Sequence, residues 1–265
     1  MSDPFVARVG AVFSADIAIP EHAQTLRFYS RVLTTGTHPL WREDLMNNLG
    51  MPIIGLGERT EDYAHLPIQW MPHIQVADVA TSVQLALDLG GSVLMHARTE
   101  DGASQWAVLC DPNGAAFGII PLVPADAIPQ GARAALPDAA QHMGRIYWLD
   151  LTVADAMAAS DFYRHVVGWS VQSVEMNEHG ERYTDCNLLA DDGKPVARIR
   201  HARGVNAGLP PVWMMYLPVN DLAESLLCVE EEGGVIIKAE QREGGEYAYA
   251  AIRDPAGACF ALIPG

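Results

Sequence analysis

Basic residues are scarce in this chain: 17 Lys and Arg face 33 Asp and Glu, a formal net charge of −16. Gripping a phosphate backbone takes clustered cations, so the shortage argues against nucleic acid as a partner. It also disfavours docking on an anionic membrane surface. No apolar run is long enough to span a bilayer, and Met1–Arg8 lacks the charged and apolar blocks of a signal peptide. Cysteine is sparse too. Cys110, Cys186, Cys228 and Cys259 show no CxxC spacing, which disfavours a disulfide framework or a zinc cluster. A reduced, cytoplasmic protein is the expectation.

What the chain does have is an internal repeat. The stretch Leu66–Val79 lies without a gap over Leu209–Leu222, an offset of 143 residues from Asp78 to Asp221. At the same offset Gly90-Gly91 meets Gly233-Gly234, and Asp111-Pro112-x-Gly114 meets Asp254-Pro255-x-Gly257. Upstream, Phe28-Tyr29 recurs at Phe162-Tyr163, an offset of 134, so the second half carries a nine-residue insertion, expected near residues 177–181. A repeat of this length means duplicated structural units. Each half then serves as a control for the other: a residue kept in both is more readily scaffold than specialised chemistry.

The proline-rich segment 122–143 separates the halves and reads as a linker with a short helix in its alanine-rich part. The expected domains are therefore residues 1–121 and 144–265, each large enough to bury its own core. Within each half the pattern of strand, helix and several strands occurs twice. Strands are expected at 9–19, 51–57, 70–76, 92–97, 106–110 and 116–121, and helices at 20–33 and 79–89. Pro20 suits a helical first turn, and Gly90-Gly91 a helix stop. The second half repeats the order from Ile146 onward, which gives an α+β fold of four modules.

The ordered markers carry a resemblance. A strand, a helix bearing Phe-Tyr, a following Gly-Trp (Gly168-Trp169) and a late Asp-Pro-x-Gly before a final apolar strand resemble the vicinal oxygen chelate superfamily. This group includes glyoxalase I, extradiol dioxygenases and bleomycin-resistance proteins. Trp213-Met214-Met215-Tyr216 before a module's helix resembles its tandem, two-domain glyoxalase-like members. The resemblance implies paired βαβββ modules, each pair curling into a half-barrel around a cavity. In the metal-dependent members, His, Gln or Glu from first and last strands hold a divalent ion. Here those positions fall on Ser14, Met71, Trp148 and Met214, and on Gly118 and Ala261, with Gly55 or Gly57 and Arg198 or Arg200 on the remaining last strands. None is a usual ligand for such an ion, so no cofactor is expected, unconventional metal binding aside.

Two residues further along each first strand, on the same face, stand Asp16 and His73 in the first half and Asp150 and Tyr216 in the second. Asp16 and His73 form the candidate catalytic pair, a carboxylate beside an acid or base. The two acids, kept in both halves, equally suit capping or pairing with an arginine. Arg198 and Arg200 replace Gly55 and Gly57, and one of the two is expected to face inward, where it can clamp a carboxylate or phosphate. Asp150, Tyr216, Trp148, Trp70 and Arg198 are the candidate ligand-binding set, the tryptophans as stacking surfaces. His38, His65, His96 and His201 have no ligand spacing and are expected to be solvated. Ser14 lacks a Ser-His-Asp context.

Three functions compete. The first is metal-free binding of a small polar or aromatic molecule, in the manner of bleomycin-resistance proteins. The second is a lyase, isomerase or dioxygenase on a small oxygenated substrate. The third is a non-catalytic partner-binding or structural protein, which would expose an apolar patch. Both a monomer and a homodimer are compatible with the duplication.

Overall fold

The computed structural model describes residues 7–127, 142–178 and 180–265. The first half runs β1 (Val12–Ile19), α1 (His22–Leu33), β2 (Ile54–Glu58), β3 (Met71–Val76), α2 (Val79–Asp88), β4 (Ser92–Arg98), β5 (Ser104–Cys110) and β6 (Ala116–Pro121). The second runs β7 (Trp148–Val153), α3 (Ala156–Val166), β8 (Ser170–Glu178), β9 (Glu181–Leu189), β10 (Pro195–His201), β11 (Met214–Val219), α4 (Leu222–Glu231), β12 (Val235–Gln241), β13 (Tyr247–Arg253) and β14 (Cys259–Pro264). The fold is α+β, with a six-stranded mixed sheet in the order β2-β1-β3-β6-β5-β4 and an eight-stranded one in the order β12-β13-β14-β11-β7-β10-β9-β8.

Each module closes its first strand in parallel on its last, as in β3 with β6 and β11 with β14, with antiparallel hairpins between. The first module departs from the expected pattern. No strand pair among the described residues separates α1 from β2, whereas the second half has the β8–β9 hairpin there. The insertion read near residues 177–181 thus lies at the hairpin's turn. The linker segment falls largely on residues 128–141, outside the described residues. Pro20 does not open the helical turn; it precedes Glu21, which takes a left-handed φ of 49° before α1 begins at His22. The other three α-helices among the described residues have side-chain caps: Asp78, Asp155 and Asp221 each accept a backbone N–H three residues on. All four cysteines are free, and no described helix is long and apolar enough to cross a membrane.

The chain packs as two compact units that do not follow the sequence halves. One comprises Met71–Ala127 and Trp148–Trp213 with the described residues up to Phe13. The other comprises Ser14–Trp70 and Met214–Gly265 with residues 142–147. In the first unit α2 packs against α3; in the second α1 packs against α4.

The same construction holds each unit together. In the first, the Trp213 Nε1 donates to the Tyr163 hydroxyl at 2.9 Å, and that hydroxyl donates to the Asp111 Oδ2 at 3.2 Å. In the second, the Trp70 Nε1 donates to Tyr29 at 2.8 Å, and Tyr29 donates to the Asp254 Oδ2 at 2.9 Å. All six side chains are buried. The remaining oxygen of each carboxylate takes the backbone N–H of Ala115 or Ala258, which closes the Asp-Pro-x-Gly turn. Beside each tyrosine, Phe162 lies over Gly91 and Phe28 over Gly234. A Cβ at Gly234 would stand 2.7 Å from the Phe28 ring, so the glycine is what admits it.

Replacing either tyrosine by phenylalanine leaves an indole N–H without its partner and takes one hydrogen bond from a buried carboxylate, of which Asp111 keeps the Asn113 Nδ2 on the same oxygen at 3.3 Å. Each of Tyr29→Phe and Tyr163→Phe is expected to cost about 1–3 kcal/mol, a fall in Tm of roughly 2–4 °C per kcal/mol for a chain of this size. Thermal unfolding measures it, and unchanged melting would refute the role. Burial raises the Asp111 and Asp254 carboxyls above the ordinary 3.8, against the opposing hydrogen bonds they accept. A raised folded value means the native state binds the additional proton. The stability this contributes is complete below about pH 3.8 and is lost as pH rises through the folded value. The stability of the natural protein relative to Asp254→Asn should therefore fall with rising pH from about pH 4 upward. Denaturant unfolding across that range tests it, and parallel curves would contradict it.

Candidate functional site

The polar face of the first unit lies on β7, β10, β9 and β8. Along β7, Leu149, Leu151 and Val153 are buried under α3, so Trp148, Asp150 and Thr152 point to the opposite face. Parallel pairing sets Arg198 beside Asp150 and Arg200 beside Thr152. Antiparallel pairing then sets Asn187 beside Arg198, and Gln172 beside Asn187. The result is a row of polar side chains across four strands on the face away from the helix. Both arginines share it, because residues two apart on a strand point the same way; the expectation that only one faces inward is corrected.

Within the row, Asp150 is buried and accepts from the Trp148 Nε1 at 2.8 Å and from the Arg200 Nη2 at 2.9 Å. The Arg200 Nε is enclosed without an acceptor among the described residues. Arg198 donates its Nε to the Asn187 Oδ1 at 3.0 Å, and the Asn187 Nδ2 donates to the Gln172 Oε1 at 3.3 Å. Asn187 and Gln172 were not singled out from the sequence. Both lie on the hairpin that only the second half has, so the repeat offered no comparison for them.

On β3 of the same unit, His73 is half-buried and faces Gly118 of β6. A Cβ at Gly118 would stand 2.5 Å from the His73 Cδ2, so the imidazole occupies the space a last-strand side chain would need. His201, expected to be solvated, instead has its Nδ1 3.2 Å from the buried Asp185 and accepts the Ala156 N–H on Nε2 at the start of α3. His96 likewise bonds the Ser104 hydroxyl at 2.8 Å.

The second unit has its own arrangements. Asp16 on β1 is exposed and pairs in register with Gly55 of β2. A Cβ there would meet the Asp16 Oδ1 at 2.4 Å, so the carboxylate lies across the glycine. Tyr216 on β11 faces Ala261 of β14, and its ring lies 6.1 Å from that of Tyr249. Lys238 stands 5.5 Å above the Tyr249 ring and 2.7 Å from Glu240. Trp70, read as a stacking surface for ligand, is instead enclosed and donates to Tyr29.

The positions where the resemblance puts metal ligands hold side chains of the wrong chemistry. Trp148 offers an N–H already given to Asp150, Met71 and Met214 are buried thioethers, and Gly118 and Ala261 have no donor atom. Hard and borderline divalent ions take carboxylate, imidazole or thiolate. This donor set does not fit such an ion.

Residues 145–262 match the Glyoxalase/Bleomycin resistance protein/Dioxygenase superfamily. CFP32 of Mycobacterium tuberculosis, a glyoxylase by name, is 26% identical over 198 residues, covering 75% of this chain and 70% of its own. The anthracycline biosynthesis protein DnrV of Streptomyces peucetius is 31% identical over 127 residues, 43% of this chain and 45% of its own. At the level of fold, the chain is similar to a variant of 4-hydroxymandelate synthase from Streptomyces coelicolor, with a TM-score of 0.52 and 12% identity over 97% of this chain and 93% of that one. It is also similar to 2,2',3-trihydroxybiphenyl 1,2-dioxygenase from Sphingomonas wittichii, with a TM-score of 0.52 and 15% identity over 98% and 91% of the two chains. The chain as a whole thus shares the fold of these two proteins.

If His73 and Gly118 are matched in shape, a methyl group at Gly118 forces the ring aside. Gly118→Ala should destabilise the protein by about 1–3 kcal/mol, as overpacking does, and most of that cost should vanish when His73→Ala is present as well. A double-mutant cycle by denaturant unfolding measures the coupling; additive effects would separate the two residues.

Proposed function

We propose that this protein binds a small polar or aromatic molecule through its sheet faces without the superfamily's usual metal. The observation that carries the reading is the polar row of β7–β10, in which Asp150, Arg198 and Arg200 stand around a first-strand position held by Trp148. Ligand sites combine an apolar surface with a few positioned polar groups, and Trp148 beside this row supplies both. The relatives DnrV and DauV are named for anthracycline biosynthesis. Anthracyclines are planar polycyclic compounds, which accords with a ligand that offers a ring face to an indole.

A second reading is an enzyme for a small oxygenated substrate, with His73 as its proton-handling group; Asp16, its expected companion, belongs to the other compact unit. The asymmetry between the halves favours it, since Tyr216 stands where the first half has His73. On this reading His73→Ala weakens a bound substrate more than Tyr216→Phe does.

Native-state binding raises the melting temperature. A thermal-shift screen against catechols, planar aromatic acids and glutathione adducts, with and without chelator, tests the first reading. Stabilisation that persists in chelator, by protein without stoichiometric metal, is the expected result. A divalent ion retained through dialysis and required for every hit would overturn it.

A further inference from the structure

We infer that the second half presents an oxyanion site, with the terminal fork of Arg198 as its principal donor, so that the ligand carries a carboxylate or phosphate. The inference rests on the reading of the polar row as a ligand surface and specifies what that surface takes. Its basis is the way Arg198 is held. The Nε of Arg198 is anchored on Asn187, whose amide is turned by Gln172 to present its oxygen. Both Nη groups are left without a carboxylate or carbonyl partner among the described residues. An arginine fixed through Nε has its two Nη groups set side by side, the geometry that grips an oxyanion through two parallel hydrogen bonds.

With 33 acids to 17 bases, carboxylates are plentiful, and Arg8, Arg27, Arg31, Arg164 and Arg203 each have one. Next to Arg198, Arg200 is neutralised by Asp150. Arg198 is half-buried on a central strand, and a neutral amide is its partner. A partly desolvated cation of this kind is balanced by an anion from outside, and the anion gains strength from the same desolvation. The first half provides a built-in comparison. There Asp16 pairs in register with Gly55 just as Asp150 pairs with Arg198, and Ala18 pairs with Gly57 where Thr152 pairs with Arg200. Neither position offers a cation, so the chain is expected to bind one oxyanion.

Benzoate, phenyl phosphate and the neutral analogue benzamide serve as probes, titrated into the full chain by calorimetry at low salt. The expected result is a single site for benzoate, phenyl phosphate or both, with benzamide at least tenfold weaker. The benzoate and phenyl phosphate arms tell a carboxylate ligand from a phosphate one. Arg198→Gln should weaken the oxyanion at least tenfold at an unchanged melting temperature. Arg198→Lys, which keeps the charge and loses the fork, should fall between it and the natural protein. Arg164→Gln, at a surface ion pair with Asp161, should bind as the natural protein does. Benzamide binding as tightly as benzoate, Arg198→Gln titrating like the natural protein, or no binding of either anion would each overturn the oxyanion site. If neutral hits from the thermal-shift screen persist in that event, metal-free ligand binding survives and the oxyanion class alone falls.

Discussion

A buried tyrosine hydroxyl, receiving from one tryptophan and giving to one aspartate, is the constraint on which the rest of this structure depends. Its energetic weight comes from enclosure. An indole N–H, a phenol and a carboxylate that all lie in the core are tolerable only when each finds its partner. The carboxylate also fastens the Asp-Pro-x-Gly turn through backbone N–H groups, so the hydrogen bonds that satisfy the core set the start of the following strand. The tyrosine and the aspartate of each chain come from opposite sequence halves. Each compact unit is therefore assembled from one module of each half, consecutive modules in the first unit and the outermost two in the second, and neither half completes its own core.

This explains which features of the sequence were legible. Phe-Tyr, Gly-Gly, Trp and Asp-Pro-x-Gly recur because they are the components of one packing arrangement, used twice. The repeat exposed them as scaffold without showing that they meet. The positions of most strands also followed from alternation and turn residues, since half-buried strands carry their own period. Trp70 was misread for a physical reason. It stands just before β3, where alternation does not fix a face, and its direction is decided by a hydroxyl on α1. The histidines His96 and His201 lacked any ligand spacing, yet each is fixed by a partner that pairing across strands brings near.

The lack of side chains where the resemblance would put metal ligands has a structural counterpart at two positions. At Gly118 the missing side chain makes room for His73, and at Gly55 it makes room for the Asp16 carboxylate. A glutamate at Gly118 would compete for the space the His73 ring fills. The change at the last strand and the polar group on the first are thus a single fitted pair, and restoring one residue alone would produce a clash before it produced a ligand.

The difference between the halves follows from the hairpin. An arginine on β10 stays in one orientation because β9 offers Asn187 and β8 offers Gln172 to hold it, and the first half has no such strand pair among the described residues between α1 and β2. Without the hairpin, β2 has no neighbour beyond β1 in its sheet. A long cation placed at Gly55 or Gly57 would have no amide to fix its Nε, and holding it in one conformation would cost side-chain entropy with no hydrogen bond to offset it. Glycine there and arginine on β10 therefore match the support that the strands of each half provide.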